Sequence, residues 1–208
     1  MARIWLERLS VILACVVPAT LVDAALEAPR QVPAPPSFAG QLLIAAPSMG
    51  DPRFSQTVVL MARHDKNGAF GIVINRPAGE RTLASLLEAL GEKEADVEGS
   101  VRIFAGGPVQ REIGFVVHSA DYRRPETIDI DGHVAVTSHR EILRDIGRKQ
   151  GPKKSLIAFG YAGWGPGQLE GEMALRAWFT AAEDARLIFD EDRDKVWDEA
   201  MKRRTQDL

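Results

Sequence analysis

Short apolar segments that end at turn-forming residues run through the chain from residue 41 onward. The first three are rich in Leu, Ile and Val and span residues 41–46, 56–63 and 70–76. Segments of this length and composition predict β-strands. Asn67 and Gly68 separate the second segment from the third, and both residue types tolerate positive φ. The sequence therefore predicts that the fold opens with an antiparallel hairpin.

Helical patterns follow this hairpin and alternate with further strands. Leucines at positions 83, 86, 87 and 90 form one apolar stripe, which predicts a helix over 82–90. Ser138 and Glu141 have the spacing of a capping box and predict a helix that ends at Gly147. The other predicted helices are 168–179 and 194–203, and the other predicted strands are 101–105, 114–119, 126–131, 133–136, 155–161 and 186–189.

The mixed order of these elements predicts an α/β (α+β) fold class. Hairpins early in the chain and strand–helix units late in the chain indicate a single domain. Its expected architecture is a mixed, largely antiparallel β-sheet or partly closed barrel, flanked by about four helices. No G-x-G-x-x-G motif follows a predicted strand, so the pattern does not indicate a doubly wound nucleotide-binding fold.

The N-terminal region has the composition of a targeting segment. Residues 9–22 are almost wholly apolar and precede a Val22-Asp23-Ala24 pattern typical of a signal-peptidase site. The apolar run is shorter than the roughly 20 residues that span a bilayer, so we predict no permanent membrane span. We interpret 1–24 as a signal-like segment, 25–38 as a proline-rich linker and 39–208 as the folded domain. The chain is exported or periplasmic if the signal is real and cytoplasmic otherwise, and the sequence leaves both open.

Charge and residue counts limit the kinds of partner and site. The chain has 26 Lys and Arg against 29 Asp and Glu and a net charge of -3, so it gives no strong nucleic-acid signal. Cys15 is the single cysteine, which excludes an intramolecular disulfide and a multi-cysteine metal site. The four histidines lack H-x-x-x-H spacing. We therefore predict neither a metal nor a cofactor.

Two glycine-rich segments follow predicted strands. Residues 106–109, Gly-Gly-Pro-Val, are typical of a tight turn, with a backbone nest for an anion as the alternative. Residues 160–167 run from a strand into a helix, where free backbone N–H groups could hold a phosphate. Glu170 and Glu172 in the first helical turn would repel an anion. We therefore interpret this second segment as a shaped loop with Trp164 as an aromatic plug.

Five sequence blocks in fixed order resemble the bacterial YqgE/AlgH family. They are residues 43–54, His64 with 68–77, 106–109, 114–118 and 160–170. The resemblance extends from about residue 40 to the C-terminus and implies a single mixed α/β domain. Because the name AlgH reflects an inferred role in regulating alginate production, the resemblance also implies a regulatory role, without an established enzymatic activity or DNA-binding motif.

Two functional hypotheses follow from these motifs. The first is a non-enzymatic regulatory or binding module with no catalytic residue, an unidentified protein or small-molecule partner and an open oligomeric state. Its predicted surface consists of Asp51, Pro52, Arg53, Phe54, His64, Asn75, Arg76, Gly106, Gly107, Pro108, His118, Trp164, Gly167, Gln168 and Glu170. The second is a small hydrolase or metal-dependent enzyme whose cleft brings together four side chains, those of Asp51, His64, His118 and Glu170.

Overall fold

Ten strands and four α-helices make up the part of the chain that the computed structural model describes, residues 37–92, 97–190 and 192–205. The strands are β1 (Gln41–Ala45), β2 (Val58–Asp65), β3 (Gly68–Val73), β4 (Pro77–Thr82), β5 (Ser100–Ala105), β6 (Val109–Ser119), β7 (Ile128–Asp129), β8 (Val134–Thr137), β9 (Ser155–Trp164) and β10 (Trp178–Ala182). The helices are α1 (Leu83–Ala89), α2 (Glu141–Gly147), α3 (Gln168–Ala174) and α4 (Val196–Lys202). The predicted signal-like segment and most of the predicted linker lie outside these ranges. No helix within them combines the length and apolar composition that crossing a bilayer requires.

The strands form one mixed sheet in the order β10-β1-β2-β3-β9-β6-β8-β7. Strand β9 is central, because it pairs antiparallel with β3 and β6 and parallel with β5. Strand β4 pairs antiparallel with β5. All pairs except β5–β9 are antiparallel, so the predicted single-domain fold class with a largely antiparallel mixed sheet is confirmed.

The first hairpin and the first helix agree with the sequence analysis. Asp65 pairs with Gly68 at the end of the β2–β3 ladder, and the Asn67 backbone N–H donates to Asp65 Oδ1 at 2.7 Å. Helix α1 begins after Thr82, whose side chain accepts from the backbone N–H of Ser85 at 3.1 Å. Three leucines of the predicted stripe are buried, and the fourth, Leu90, is the C-terminal cap. The β2–β3 hairpin and helix α1 therefore follow from residues that lie close together in the sequence.

The core lies on both sides of the sheet. Leu42 and Ile44 of β1 pack in a cluster with α4, whereas Leu43 between them packs with Trp164 and with Leu169 of α3. Neighbouring residues of a strand point to opposite faces, so the apolar run of β1 follows from burial on both faces. A third cluster places α1 and α2 against β5, β6 and β9.

The segment from 168 to 189 differs from the prediction. The predicted helix 168–179 is wrong beyond Ala174, since Trp178 begins β10 and pairs with Ala45 of β1. The chain turns at Arg176, which has a φ of 55°. The predicted strand 186–189 is also wrong, because this segment is a single π-helical turn, Arg186–Asp190. The turn buries two consecutive residues, Leu187 and Ile188, in one cluster, which the alternating faces of a strand do not allow.

Two further predictions about element ends were wrong. Ser138 does not cap α2, because this helix begins at Glu141 after Arg140, without a side-chain cap. Glu141 instead forms an ion pair with Arg124 at 3.3 Å. Strand β3 ends at Val73, three residues before the predicted end at residue 76, and Pro77 begins β4, a strand that the sequence did not predict. Proline is tolerated at the first residue of a strand, where its missing N–H breaks no ladder bond.

Candidate functional site

The loop between β1 and β2 is held by two residues that follow β3. The Asn75 side-chain amide donates to the carbonyl oxygen of Gln56 at 2.9 Å. The Arg76 guanidinium donates to the carbonyl oxygens of Arg53, at 2.5 Å, and Ser55, at 2.9 Å. Because these partners are backbone carbonyls, both side chains fix the path of the loop whatever its side chains are. The predicted site residues Asn75 and Arg76 thus position the loop that carries the others.

An ion pair closes the start of this loop around Pro52. The Arg53 guanidinium donates to both carboxylate oxygens of Asp51, with Nε–Oδ1 at 3.0 Å and Nη2–Oδ2 at 2.6 Å. These hydrogen bonds from Arg53 hold the pKa of Asp51 below its ordinary value. Asp51 is therefore an ionised turn residue with its charge matched by Arg53, and this pairing makes it a weaker base than an unpaired carboxylate.

The Gly106-Gly107-Pro108 turn lies directly against β9. The Gly106 N–H donates to the carbonyl of Phe159 at 2.8 Å. Gly107 has a φ of 155°, and a Cβ there would lie 2.0 Å from the carbonyl carbon of Tyr161. Both positions therefore require glycine, because the backbone of the turn packs directly on the backbone of β9 and leaves no room for a Cβ. The close approach brings the turn to the edge of a cavity.

This cavity has a volume of about 500 Å³ and lies between the β1–β2 loop, β4, β5 and the glycine turn. Gly107 and Pro108 line it together with four arginines, Arg53, Arg76, Arg81 and Arg111. Apolar side chains from β5 and α1 form its inner wall. The sequence analysis assigned no site role to Arg81 or Arg111, because an exposed arginine has no sequence signal that separates it from the other surface cations.

The second glycine-rich segment is not the predicted loop over most of its length. Residues 160–164 continue β9, and the loop is confined to 165–167. Trp164 is 6% exposed and fills the space beneath α3, as expected of an aromatic plug. Gly167 precedes α3 in the left-handed region, with a φ of 72°. This glycine therefore serves the turn into the helix.

Glu172 of α3 organises the aromatic residues around this turn. One of its carboxylate oxygens, Oε2, accepts from the indole N–H of Trp164 at 2.9 Å and from that of Trp178 at 2.8 Å. Its Oε1 accepts from the Gln168 side chain at 2.9 Å. The ring of Phe54 packs against both indoles, with centroids 6.5 Å from Trp164 and 5.4 Å from Trp178, and the two indoles contact each other at 5.8 Å. These contacts join the β1–β2 loop to β9 and β10, and Glu172 joins the same indoles to α3.

His64 and Glu170 meet, as the enzyme hypothesis expects. His64 Nε2 lies 3.1 Å from Glu170 Oε1, and the backbone N–H of Phe38 donates to His64 Nδ1 at 3.1 Å. Because Nδ1 accepts a hydrogen bond, Nε2 carries the proton and donates it to the carboxylate. Both ring nitrogens are therefore occupied, and His64 has no free lone pair with which to act as a base.

His118 has a separate set of partners on β6 and β8. Its Nδ1 donates to the Ser119 carbonyl at 2.9 Å, and its Nε2 lies 2.9 Å from Thr137 Oγ1. Thr137 Oγ1 lies in turn 2.7 Å from Thr127 Oγ1, which accepts from the Arg124 N–H. This chain satisfies a fully buried imidazole in its neutral form. Neither Asp51 nor Glu170 takes part in it.

Protonation of His118 at low pH should lower the free energy of unfolding of the protein. Burial lowers the pKa of His118 below its ordinary value of 6.5, so its contribution to stability is complete above about pH 6.5 and is lost as pH falls through the lower folded-state pKa. We expect His118→Gln to show a shallower fall in the free energy of unfolding below pH 6.5, measured by urea unfolding. The exposed His133→Gln control should keep the wild-type slope, and an unchanged slope in His118→Gln would contradict the assignment.

The predicted site residues thus fall into three places. Four of them, Arg53, Arg76, Gly107 and Pro108, line the cavity. The α3 residues form a neighbouring aromatic cluster with Phe54, His64 and Trp164, and His118 lies apart. Within the described ranges, no three His, Cys, Asp or Glu side chains lie close enough together to hold a metal ion. The four-residue cleft of the enzyme hypothesis therefore contains one direct contact, between His64 and Glu170.

Comparison with known proteins agrees with the family resemblance of the five sequence blocks. A family model described as AlgH-like matches residues 42–208. The chain belongs to the AlgH-like family. It is 44% identical over 165 residues to a UPF0301 protein of Jannaschia sp. strain CCS1, covering 78% of this chain and 86% of the relative. It is 43% identical over 183 residues to a UPF0301 protein of Bradyrhizobium diazoefficiens, covering 82% and 86%.

Two solved structures share the fold of this AlgH-like chain. The solution structure of AlgH from Pseudomonas aeruginosa matches with a TM-score of 0.69 and 38% identity, over 81% of this chain and 89% of that one. The crystal structure of a protein from Corynebacterium diphtheriae matches with a TM-score of 0.63 over 85% and 90%. At 21% identity, the second likeness shows the fold alone. The resemblance drawn from the five sequence blocks is confirmed.

Proposed function

We propose that this AlgH-like protein is a non-enzymatic binding module that holds a small-molecule ligand in the arginine-lined cavity. The regulatory role implied by the family resemblance would then be exerted through occupancy of this cavity. A volume of about 500 Å³ lies within the range of ordinary small-molecule sites. Its mouth is formed by the residues that the motifs singled out, namely Arg53, Arg76, Gly107 and Pro108.

The composition of the cavity wall carries the proposal. Among the described residues that line it, arginine is the only ionisable type, and none is a Ser, Thr, Cys, His, Asp, Glu, Lys or Tyr. Arginine stays protonated in proteins and does not exchange protons during a reaction. The wall therefore offers charge and apolar surface but no nucleophile and no general acid or base. Such a cavity is suited to binding.

The titratable groups outside the cavity support the same proposal. Both nitrogens of His64 and both nitrogens of His118 are occupied by structural partners. Asp51 is paired with Arg53 and is not among the residues that line the cavity. A hydrolase would need at least one of these groups to be free and directed at a substrate. The binding hypothesis needs none of them.

Filling the cavity should abolish ligand binding. Ala78 lines the cavity on β4 and is exposed, so Ala78→Trp places an indole where the ligand would lie. The matched control is Ala174→Trp, at an exposed position at the end of α3. Each protein is incubated with a small-molecule extract of the host, desalted and examined by native mass spectrometry. We expect wild type and the control to retain a compound that Ala78→Trp retains at least about ten-fold less.

Two results would contradict the proposal. One is retention of the same compounds by all three proteins, or of none by any of them. The other is conversion of a compound in the extract at catalytic turnover that is lost in His64→Ala, which would favour the hydrolase hypothesis instead.

A further inference from the structure

We infer that the ligand of this cavity is a phosphate monoester with a short apolar body. This inference rests on the proposed function and adds the chemical class of the ligand. Its basis is a combination that is unusual on a protein with a net charge of -3. Four arginines converge on one cavity, the described lining residues include no carboxylate, and the inner wall is apolar.

Two of the four guanidinium groups have no partner among the residues that the structure describes. Within the described part of the chain, neither Arg81 nor Arg111 forms an ion pair or a side-chain hydrogen bond. Both residues are exposed at the mouth of the cavity. A guanidinium presents paired N–H donors that match the oxygens of phosphate or carboxylate. Arg81 and Arg111 are therefore free to bind an anion without first breaking an internal contact.

Irregularities in two strands place these arginines. The β4–β5 register shifts between Pro77 and Gly79, which inserts an extra residue, Ala78, three positions before Arg81. The β6–β9 register shifts between Val109 and Gly114, and Arg111 lies within this interruption. β-Bulges redirect side chains and are frequent beside functional sites. Regular ladders would not bring Ala78 and Arg111 to the same cavity in this way.

The balance of charge favours a doubly charged ligand group. The negative charge of Asp51 neutralises the positive charge of Arg53 through their bidentate ion pair. Arg76 donates to backbone carbonyls and, among the described residues, has no ion pair of its own. Three positive charges therefore remain around the cavity. A phosphate monoester carries close to two negative charges at neutral pH, whereas a carboxylate carries one.

The inner wall defines the rest of the ligand. Leu86 of α1, Ile103 and Phe104 of β5 and Phe159 of β9 contribute apolar surface behind the arginines. Burying an apolar body here removes it from water, while the phosphate stays at the arginine-rich mouth. Inorganic phosphate alone has no apolar group and would leave this apolar wall exposed to water.

Binding of hexyl phosphate tests the inference directly. The backbone amides of Gly79 and Gly107 report on the cavity in two-dimensional NMR titrations of the full chain. We expect hexyl phosphate to shift both amides and to bind at least about ten-fold more tightly than hexanol, hexanoate or inorganic phosphate. Arg81→Gln and Arg111→Gln should each lower the affinity for hexyl phosphate about ten-fold. The midpoint of thermal unfolding should not change, since neither side chain has a partner to lose among the described residues.

A charge-matched control separates the cavity from general electrostatics. Arg102→Gln removes one positive charge from β5, but Arg102 lines a different depression together with Glu80 and Asp190. This variant should bind hexyl phosphate as wild type does. Equal weakening in Arg102→Gln would overturn the inference, because any lost positive charge would then have the same effect.

The outcomes distinguish this inference from the proposed function. Equal affinity for hexanol, at the same amides and unaffected by the arginine variants, would overturn the phosphate while leaving a binding cavity. If inorganic phosphate binds as tightly as hexyl phosphate, the ligand does not need an apolar body. If hexanoate binds as tightly as hexyl phosphate, the ligand does not need a doubly charged group. Binding to vesicles that contain phosphatidic acid, without binding of soluble hexyl phosphate, would overturn a soluble ligand. Failure of every probe to shift the amides would overturn the inference, and the native mass spectrometry experiment would then decide the proposed function.

Discussion

Replacing Gly107 with alanine should abolish cooperative folding or lower the free energy of unfolding by at least about 3 kcal/mol. The added Cβ would lie 2.0 Å from the carbonyl carbon of Tyr161, 2.2 Å from its oxygen and 2.4 Å from the nitrogen of Ala162. These are backbone atoms of the central strand β9, so no side-chain rotation relieves the clash. The turn or the strand must move, and β9 holds β3, β5 and β6 together.

Gly79→Ala is the matched control for this substitution. Gly79 also has a positive φ, 135°, but a Cβ there would have nothing within 4 Å. Gly79→Ala therefore measures the cost of placing alanine in this backbone conformation without a steric clash, which we expect to be about 1 to 3 kcal/mol. Urea unfolding followed by circular dichroism compares the two variants. A Gly107→Ala protein within 1 kcal/mol of Gly79→Ala would show that the glycine turn does not depend on close backbone contact.

The elements that the sequence predicts well are those whose signals are local. The Asn67-Gly68 turn and the leucine stripe of α1 each depend on residues within a few positions of one another, and both were confirmed. Strand β10 is different, because Trp178 pairs with Ala45 from the other end of the domain. Without that partner, residues 175–179 have the composition of a continuing helix. Long-range pairing overrode local propensity there.

The candidate site was predictable in part for the same reason. A turn is predicted by the residue types of Gly106, Gly107 and Pro108. It lies beside Asn75 and Arg76, because these two residues follow the neighbouring strand β3. Arg111 lies within an interruption of the β6–β9 ladder, and Arg81 follows a register shift in the β4–β5 ladder; no residue pattern indicated either irregularity. The sequence analysis also grouped His118 with His64, although topology places them on β6 and β2 with separate partners.

Glu172→Ala should lower the free energy of unfolding by about 2 to 4 kcal/mol, since an unsatisfied buried donor costs about 1 to 3 kcal/mol. One carboxylate oxygen of Glu172 accepts from both Trp164 and Trp178, and these residues are 6% and 3% exposed. Alanine leaves both indole N–H groups without their acceptor. The sequence predicts for Glu172 only a charge in the first helical turn, whereas in the structure its carboxylate is the shared acceptor of two buried indole N–H groups.

Glu172→Gln separates hydrogen bonding from charge. Glutamine keeps one carbonyl oxygen that can accept from both indoles, but its amide NH2 then faces the Gln168 NH2 and that exposed hydrogen bond is lost, so we expect a loss of only about 1 kcal/mol. Urea unfolding by tryptophan fluorescence measures both variants, and the native emission of Glu172→Ala should shift to the red as water reaches the indoles. Equal losses in the two variants would mean that the negative charge, and not the shared acceptor, stabilises the cluster. The contact of Phe54 with both indoles makes the β1–β2 loop depend on this carboxylate as well, so Glu172→Ala should also weaken ligand binding at the cavity that the loop borders.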